Sequence, residues 1–476
     1  MHEPYRPSWL VRSSRVIRMD ATEITTEDDY TNAEEPPSMD GLPVIGSLPA
    51  MLDSPFEFSE RLPDSRGVVR VRLAPIDLPM MPSELYYVDH PEAIRRVLVD
   101  DHASYRKPDL AKRAFADLAP NGLFVAEGDQ WRRIRDVVQP AFGARNVQRY
   151  ADAMVTETVR RVDEWDDGEP LAIADEARTI TSAILGRALF SSDFTAIADS
   201  LRSVVDAMGA KLDVPASAVP TWVPTRTNRR FKRDVREFER VAADLVRKRR
   251  QVAADERPND LLSALIVATE DRTLSPAELR DQLFVFLFAG HETTSLALTF
   301  ACFHLAANPE RCERLYAEVD ALDGDPSIGA LDEVPTSEHI AKEALRLYPP
   351  SVEVAREPTE DVELRGYRVP KSAGMILPVY SVHRDERWWD DPESFRPERW
   401  EREDVPSHEY AYFPFGGGPR ACIGNRFATL GLRLVLATIA RRYRFGLAPD
   451  RSADLDLRIT PTLAPAEPIE LIARER

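Results

Sequence analysis

Residues Phe413-Pro-Phe-Gly-Gly-Gly-Pro-Arg-Ala-Cys-Ile-Gly-Asn-Arg-Phe-Ala428 set the tightest limit on how this chain can fold. Three consecutive glycines followed by Pro419 forbid a helix and permit close backbone contact with something packed against the loop. Cys422 then stands just before an apolar stretch, 425–441, whose spacing predicts a helix. A thiol at a helix N-terminus meets the positive end of the macrodipole, which favours the thiolate. Gly424 removes a side chain that would keep a flat ligand from the sulfur, and Arg420 can reach an anionic edge of that ligand. The segment reads as a thiolate presented to a large planar cofactor. The bland alternative is a buried cysteine after a flexible loop, the usual state of a lone cysteine.

Composition narrows the rest. The 476 residues carry 80 Asp and Glu against 62 Lys and Arg, a formal net charge of -18. Seven of the basic residues are Lys and 55 are Arg. This acidity argues against nucleic acid as a partner, because phosphate neutralisation needs clustered cations. It argues equally against an anionic membrane surface. A hydrophobic content of 43% excludes disorder of the whole chain. Cys302, Cys312 and Cys422 form neither a disulfide framework nor a zinc pattern, so a reducing, cytoplasmic setting is expected. No stretch approaches the roughly 20 apolar residues of a transmembrane anchor. Four Arg within the first 18 residues are not followed by an apolar core, which argues against a secretory signal. Residues 1–40 read as a disordered extension, with Met19 a candidate start, and 41–476 as one ordered domain.

Apolar residues at three- and four-residue spacing predict helices over about 91–100, 128–138, 144–165, 174–190, 227–252, 276–307, 309–321, 336–347 and 425–441. Ser275 is the expected N-cap of the longest, with Pro276 in its first turn. Val68 to Leu73 and Leu85 to Val88 read as strands, and 352–379 as a second β-rich patch broken by Gly366 and Pro370. The expected fold is mainly α with small β-sheets: a helix-rich lobe plus a smaller β-rich lobe.

Phe415, Gly418, Arg420, Cys422 and Gly424 match, at every spacing, the F-x-x-G-x-R-x-C-x-G haem-binding loop of the cytochrome P450s. Ala289-Gly-His-Glu-Thr-Thr294 resembles that family's A-G-x-[DE]-T-T element, and Glu343-Ala-Leu-Arg346 its E-x-x-R helix. Phe395-Arg-Pro-Glu-Arg-Trp400 is similar to its P-E-R-F segment, with Trp in place of Phe. Trp131-Arg-Arg-Ile-Arg135 resembles its W-x-x-x-R helix, and His383-Arg-Asp385 the stretch before P-E-R-F. The resemblance runs over residues 41–470.

That resemblance implies a cytochrome P450-type fold with haem b (iron protoporphyrin IX) as cofactor and Cys422 as axial ligand of the iron. Phe415, Gly418, Gly424 and Ala428 would complete the seat around the sulfur. Trp131, Arg135, Arg356 and Arg420 would bind the haem propionates, with His102 and Arg106 near the same edge. Glu292 and Thr293 would deliver the two protons that dioxygen activation needs, with Ala289 and Gly290 keeping the helix thin above the haem. Read alone, the same residues fit a helix that kinks at Gly290, with Thr293 bonding back to a carbonyl. Glu343, Arg346 and Arg399 would form a buried structural ion-pair network. Cys302 and Cys312 are expected to be core residues.

The implied reaction is insertion of one oxygen atom from O2 into a hydrophobic small molecule. Leu118, Leu123, Phe124, Phe286, Ala289, Val352 and Val354 would line its pocket. Electrons would come from a separate protein, a ferredoxin with its reductase, docking near Arg132, Arg133, Arg426 and Arg433. A peroxide-driven enzyme and a non-enzymatic haem sensor are the alternatives; the Glu292–Thr293 pair argues against both. Scarce Lys, abundant carboxylates and few thiols resemble proteins of salt-loving archaea.

Overall fold

Ser275 begins the helix around which the rest is arranged, Pro276–Ala307. Its hydroxyl accepts from the Glu278 N–H at 3.1 Å, and the Glu278 carboxylate accepts from the Ser275 N–H at 2.8 Å. This reciprocal capping box satisfies two donors that the helix itself cannot. The helix is apolar on almost every side because Ile173–Phe190, Leu261–Glu270, Pro335–Leu347 and Asn425–Arg442 pack around it. Among the described residues it is also the one helix long and apolar enough to cross a membrane. Most of that stretch is buried inside the protein, as in the core helix of a folded domain. Fully buried Phe300 and Phe303 each contribute roughly 1.5–3 kcal/mol through burial.

This architecture is that of a computed structural model, which describes residues 33–39, 41, 46–53, 55–58, 62, 67–73, 82–192, 195–212, 222–402, 405–449, 452–459 and 462–476. The smaller lobe is built on a six-stranded sheet. Its order is Ser38–Met39, Val68–Arg72, Glu84–Val88, Gly374–Leu377, Val354–Pro358 and Tyr105–Arg106. Val68 pairs with Val88 in antiparallel register, Leu85 with Gly374 in parallel, and Val354 with Leu377 in antiparallel. A three-stranded sheet, Tyr443–Leu447 with Glu470–Glu475 and Pro170–Ala172, closes the helical lobe. The hairpin Val362–Leu364/Tyr367–Val369 turns through Arg365 and Gly366, both at positive φ, as a two-residue hairpin loop requires.

The helix-rich lobe and smaller β-rich lobe agree with the sequence reading; several boundaries differ. Most of the expected 1–40 extension lies outside the described residues, but Ser38–Met39 pair with Arg70–Val71 and Glu34 bonds the hairpin at Gly366. Ordered structure therefore begins before Gly41. The helix expected over 91–100 is α only across Pro91–Arg95 and then widens into a π turn, Arg96–Asp100. That expected over 144–165 breaks at Tyr150 into Ala144–Arg149 and Ala151–Val162.

Candidate active site

The glycine loop is shaped by protein as much as by any ligand. Gly416 and Gly418 hold positive φ, and a Cβ on Gly418 would fall 1.8 Å from the Leu98 carbonyl oxygen. On Gly417 it would meet the Tyr410 ring at 2.6 Å. The close contact predicted for this loop is therefore, at these two positions, with the chain itself. Gly424 differs: a Cβ there would stand 3.9 Å from the Cys422 sulfur and 4.0 Å from Phe142, an ordinary contact. The protein does not demand glycine at 424, and the added methyl would stand beside the sulfur. That is the space a flat ligand needs.

Cys422 is accessible, while Cys302 and Cys312 are buried as expected of core residues. Its N–H donates to the Phe415 carbonyl at 2.9 Å, and Ala428 donates to the Gly424 carbonyl at 2.8 Å as the helix Asn425–Arg442 begins. Burial pushes the thiol pKa up; the Gly424 N–H and the Arg135 charge pull it down. The helix terminus thus does not by itself make this thiol acidic. A metal would deprotonate it outright.

Beside the sulfur lies a cluster of cations. The Arg420 guanidinium lies 4.8 Å from the centre of the Trp131 ring. It donates to the Ala126 carbonyl at 3.0 Å and to the Glu127 carboxylate. Arg356 is buried, and its guanidinium donates to its neighbour's carbonyl, Ala355, at 2.8 Å. Burial lowers its pKa to about 10, with Arg420 repelling and Glu127 attracting. Lys107 belongs to the same group: burial, then Arg356 and Arg420, bring its pKa to about 7, with Glu127 opposing. Three mutually repelling cations facing one carboxylate leave positive charge that wants an anion. An accessible thiol, space at Gly424 and a cationic rim fit iron protoporphyrin with its two carboxylates.

Trp131, Arg356 and Arg420 are brought together as the sequence suggested, but Arg135 is not among them. It donates to the Ala421 carbonyl and to Gln139, both at 3.3 Å, and its charge acts on Cys422. His102 is exposed on the Val99 carbonyl, and Arg106 pairs with Glu357 and Asp109. Lys107 and Glu127 were not anticipated, although Lys107 is one of only seven lysines.

Phe142, next to Gly424, stacks on Phe286 of the central helix with centroids 5.5 Å apart. One turn further on, Ala289 is exposed in the middle of this mostly buried helix. The Thr293 hydroxyl donates to the Ala289 carbonyl. Glu292 is buried and its pKa is raised by burial, so it holds a proton more readily than a surface carboxylate. Gly290 does not thin the helix on the Ala289 side: a Cβ there would press on Leu185 at 3.0 Å, so it serves helix–helix packing. His291 is buried with its pKa lowered to about 4, mainly by burial.

Behind the loop, Glu343 and Arg346 are fully buried. Glu343 accepts from Arg346 at 2.8 and 3.0 Å, from Arg399 at 3.0 Å, from the Arg396 N–H at 3.0 Å and from the Trp400 indole at 2.9 Å. Arg346 also donates to the carbonyls of His383, Pro392 and Ser394. His383 links this network to the glycine loop. One ring nitrogen meets the Arg346 carbonyl at 3.2 Å, and the other accepts the Phe413 N–H at 2.9 Å. Burial, then the Arg346 charge, lower its pKa to about 3, which keeps the ring neutral for that exchange. Trp400, read from sequence as a replacement for Phe, is a member of the network through its N–H.

A family model described as cytochrome P450 matches residues 36–472. Cyclooctatin synthase of Streptomyces melanosporofaciens is 32% identical over 428 residues, 86% of this chain and 89% of that protein. Cyclooctat-9-en-7-ol 5-monooxygenase of the same organism is 32% identical over 434 residues, 89% and 91% of the two chains. Pentalenene oxygenase of Streptomyces avermitilis is 30% identical over 422 residues, 86% and 91%. The solved structure titled retinoic acid bound cyanobacterial CYP120A1 shares the fold, with a TM-score of 0.81 over 93% of this chain and 100% of that chain at 23% identity. With the match spanning both lobes and the cysteine loop, the chain belongs to the cytochrome P450 family.

Proposed function

We propose that this chain is a haem-thiolate monooxygenase, inserting one oxygen atom from O2 into a hydrophobic small molecule with electrons from a separate protein. One observation carries the reading: an accessible Cys422 beside a cation cluster, linked through Phe142 and Phe286 to the turn Ala289–Thr293. Haem b would supply the oxygen-activating and electron-accepting chemistry, with Cys422 as its thiolate ligand. Lys107, Trp131, Arg356 and Arg420 would hold its carboxylates, and Arg135 would act at the sulfur. Glu292 would hold a proton and pass it towards the Thr293 hydroxyl, which the Ala289 carbonyl orients.

The names of two relatives, cyclooctat-9-en-7-ol 5-monooxygenase and pentalenene oxygenase, describe an alkenol and an alkene, and we read the substrate here as a terpenoid-type hydrocarbon skeleton. A ferredoxin with its reductase is the proposed donor. Its docking face would centre on Arg426, exposed in a groove with Phe415, Asn425, Thr429 and Leu430. Arg132, Arg133 and Arg433 are held by Asp129, Glu278 and Glu338 and would contribute less than the sequence suggests. We read the setting as cytoplasmic. A salt-loving archaeal source rests on composition alone.

The test is the spectrum of the reduced, carbon-monoxide-treated, haem-loaded chain, followed by substrate-dependent consumption of reductant. The thiolate-type Soret band should appear in the wild type and vanish in Cys422→Ser. A thiolate-type band that persists in Cys422→Ser would overturn the reading.

A further inference from the structure

Three helices leave a hollow where they meet. Ile173–Phe190 contributes Ile184 and Leu185, the central helix contributes Leu298, and Asn425–Arg442 contributes Phe427, Leu432 and Val435. The cavity is about 10 Å³, the size at which a single molecule of water or gas begins to fit. The central helix also supplies Gly290 and Thr294 to its wall. Each follows Ala289 or Thr293 by one residue, a step of roughly 100° around the helix. The hollow therefore flanks the turn that carries Glu292 and Thr293.

Packing alone does not account for this space. Gly431 lies inside the helix Asn425–Arg442 and lines the hollow. A Cβ there would come no closer to any atom than 3.8 Å, at the Met154 Cε, which is an ordinary contact. Its backbone is not in the left-handed region that favours glycine. Glycine inside a helix is less favourable than alanine. The chain thus keeps glycine where alanine would fit and would make the better helix, and the result is open volume.

Water is a poor occupant. A buried water makes about three hydrogen bonds to the groups around it. The Thr181 hydroxyl is committed to the carbonyls of Ala177 at 2.8 Å and Arg178 at 3.2 Å. That leaves the Thr294 hydroxyl as the one polar side-chain group of the wall, beside glycines and apolar side chains. Apolar cavities stay dry and take up apolar guests such as xenon.

We propose that this hollow is a holding site for dioxygen beside the reaction centre. This deepens, and rests on, the monooxygenase reading. Dioxygen is a small apolar molecule, and an apolar wall favours it over water. It enters and leaves unchanged, so no bond is made or broken there. Held on the flank of the Ala289–Thr293 turn, it is concentrated close to where it is consumed.

The experiment pressurises crystals of the haem-loaded, full-length protein with xenon and, in solution, times dioxygen binding to the reduced haem by stopped flow. Wild type should show xenon between Leu185, Phe427 and Val435. Gly431→Ala should lose that xenon and bind dioxygen more slowly at low oxygen pressure, while melting no lower than wild type. Val435→Ile fills the hollow from the next turn of the same helix face and should behave alike. Val435→Ala should admit more xenon. A hollow that stays empty under xenon, or holds an ordered water on Thr294 instead, would overturn the proposal. So would unchanged dioxygen rates in both filled variants, since the hollow would then be a packing void. If wild type takes up xenon and Gly431→Ala excludes it while the thiolate Soret band is absent, the haem-thiolate reading fails and the gas site stands.

Discussion

The Lys107 ammonium lies 4.2 Å from the centre of the Phe124 ring, repelled by Arg356 and Arg420 and attracted by Glu127. A bound dianion would reverse that balance. Lys107→Met should release haem to apomyoglobin about tenfold faster, the loss of one charge-assisted bond of roughly 1.5 kcal/mol; an unchanged transfer rate would remove Lys107 from the site. Trp400→Phe deletes one donor to a fully buried carboxylate. It should cost about 1–3 kcal/mol in denaturant unfolding while haem content stays the same. Cys422 and Arg420 were readable because their meaning lies within ten residues of local pattern. Glu127 and His383 were not. Glu127 is 293 positions from the arginine it pairs with, and His383 acts by joining Arg346 to Phe413. Such roles exist only once the chain has folded.

At the scale of elements, the glycine loop and the central-helix cap make opposite demands. Gly418→Ala would drive a methyl into the Leu98 carbonyl at a positive φ, whereas Gly424→Ala meets no protein atom closer than 3.9 Å. The first should give unstable, haem-poor protein; the second should fold normally with an altered haem absorption spectrum. Similar stability in the two variants would contradict this division. Glu278 caps the central helix, and the Arg133 bond is the main reason its pKa falls from 4.5 to about 2. Its folded pKa lies below the unfolded one, so its stabilisation is present above pH 4.5 and lost as pH falls through 2. Melting curves of Glu278→Gln should therefore lie below wild type at neutral pH and converge with it towards pH 2. The cap was legible in Ser275 and Pro276. The helix Leu261–Glu270 was not: eight of its ten residues are Leu, Ser, Ala, Ile or Val, so no polar face marks a period. Neither the π turn at Arg96–Asp100 nor the break at Tyr150 interrupts the apolar spacing that a sequence reveals.

The whole molecule carries its acidity outside the site. The cations near Cys422 and the Glu343 network are internal, while the charge of -18 is spread over surface carboxylates that Arg only partly offsets. Pairs such as Arg444–Glu313 and Arg240–Glu237 are exposed, where each is worth little. Net repulsion should thus dominate at low ionic strength and fade as the screening length shrinks to about 3 Å near 1 M salt. The expected result is a melting temperature that rises between roughly 0.1 M and 2 M KCl; a flat profile would set aside the high-salt reading. The three-stranded sheet that closes the helical lobe has a further consequence, in time rather than in space. Its middle strand, Glu470–Glu475, joins Tyr443–Leu447 to Pro170–Ala172, so residues made early wait for a partner made some 300 positions later. A nascent chain can assemble helices and even present Cys422 before this sheet is complete, because its middle strand is made after the cysteine loop. The wait of Pro170–Ala172 for its partner strand is then set by the rate of synthesis rather than by local folding speed.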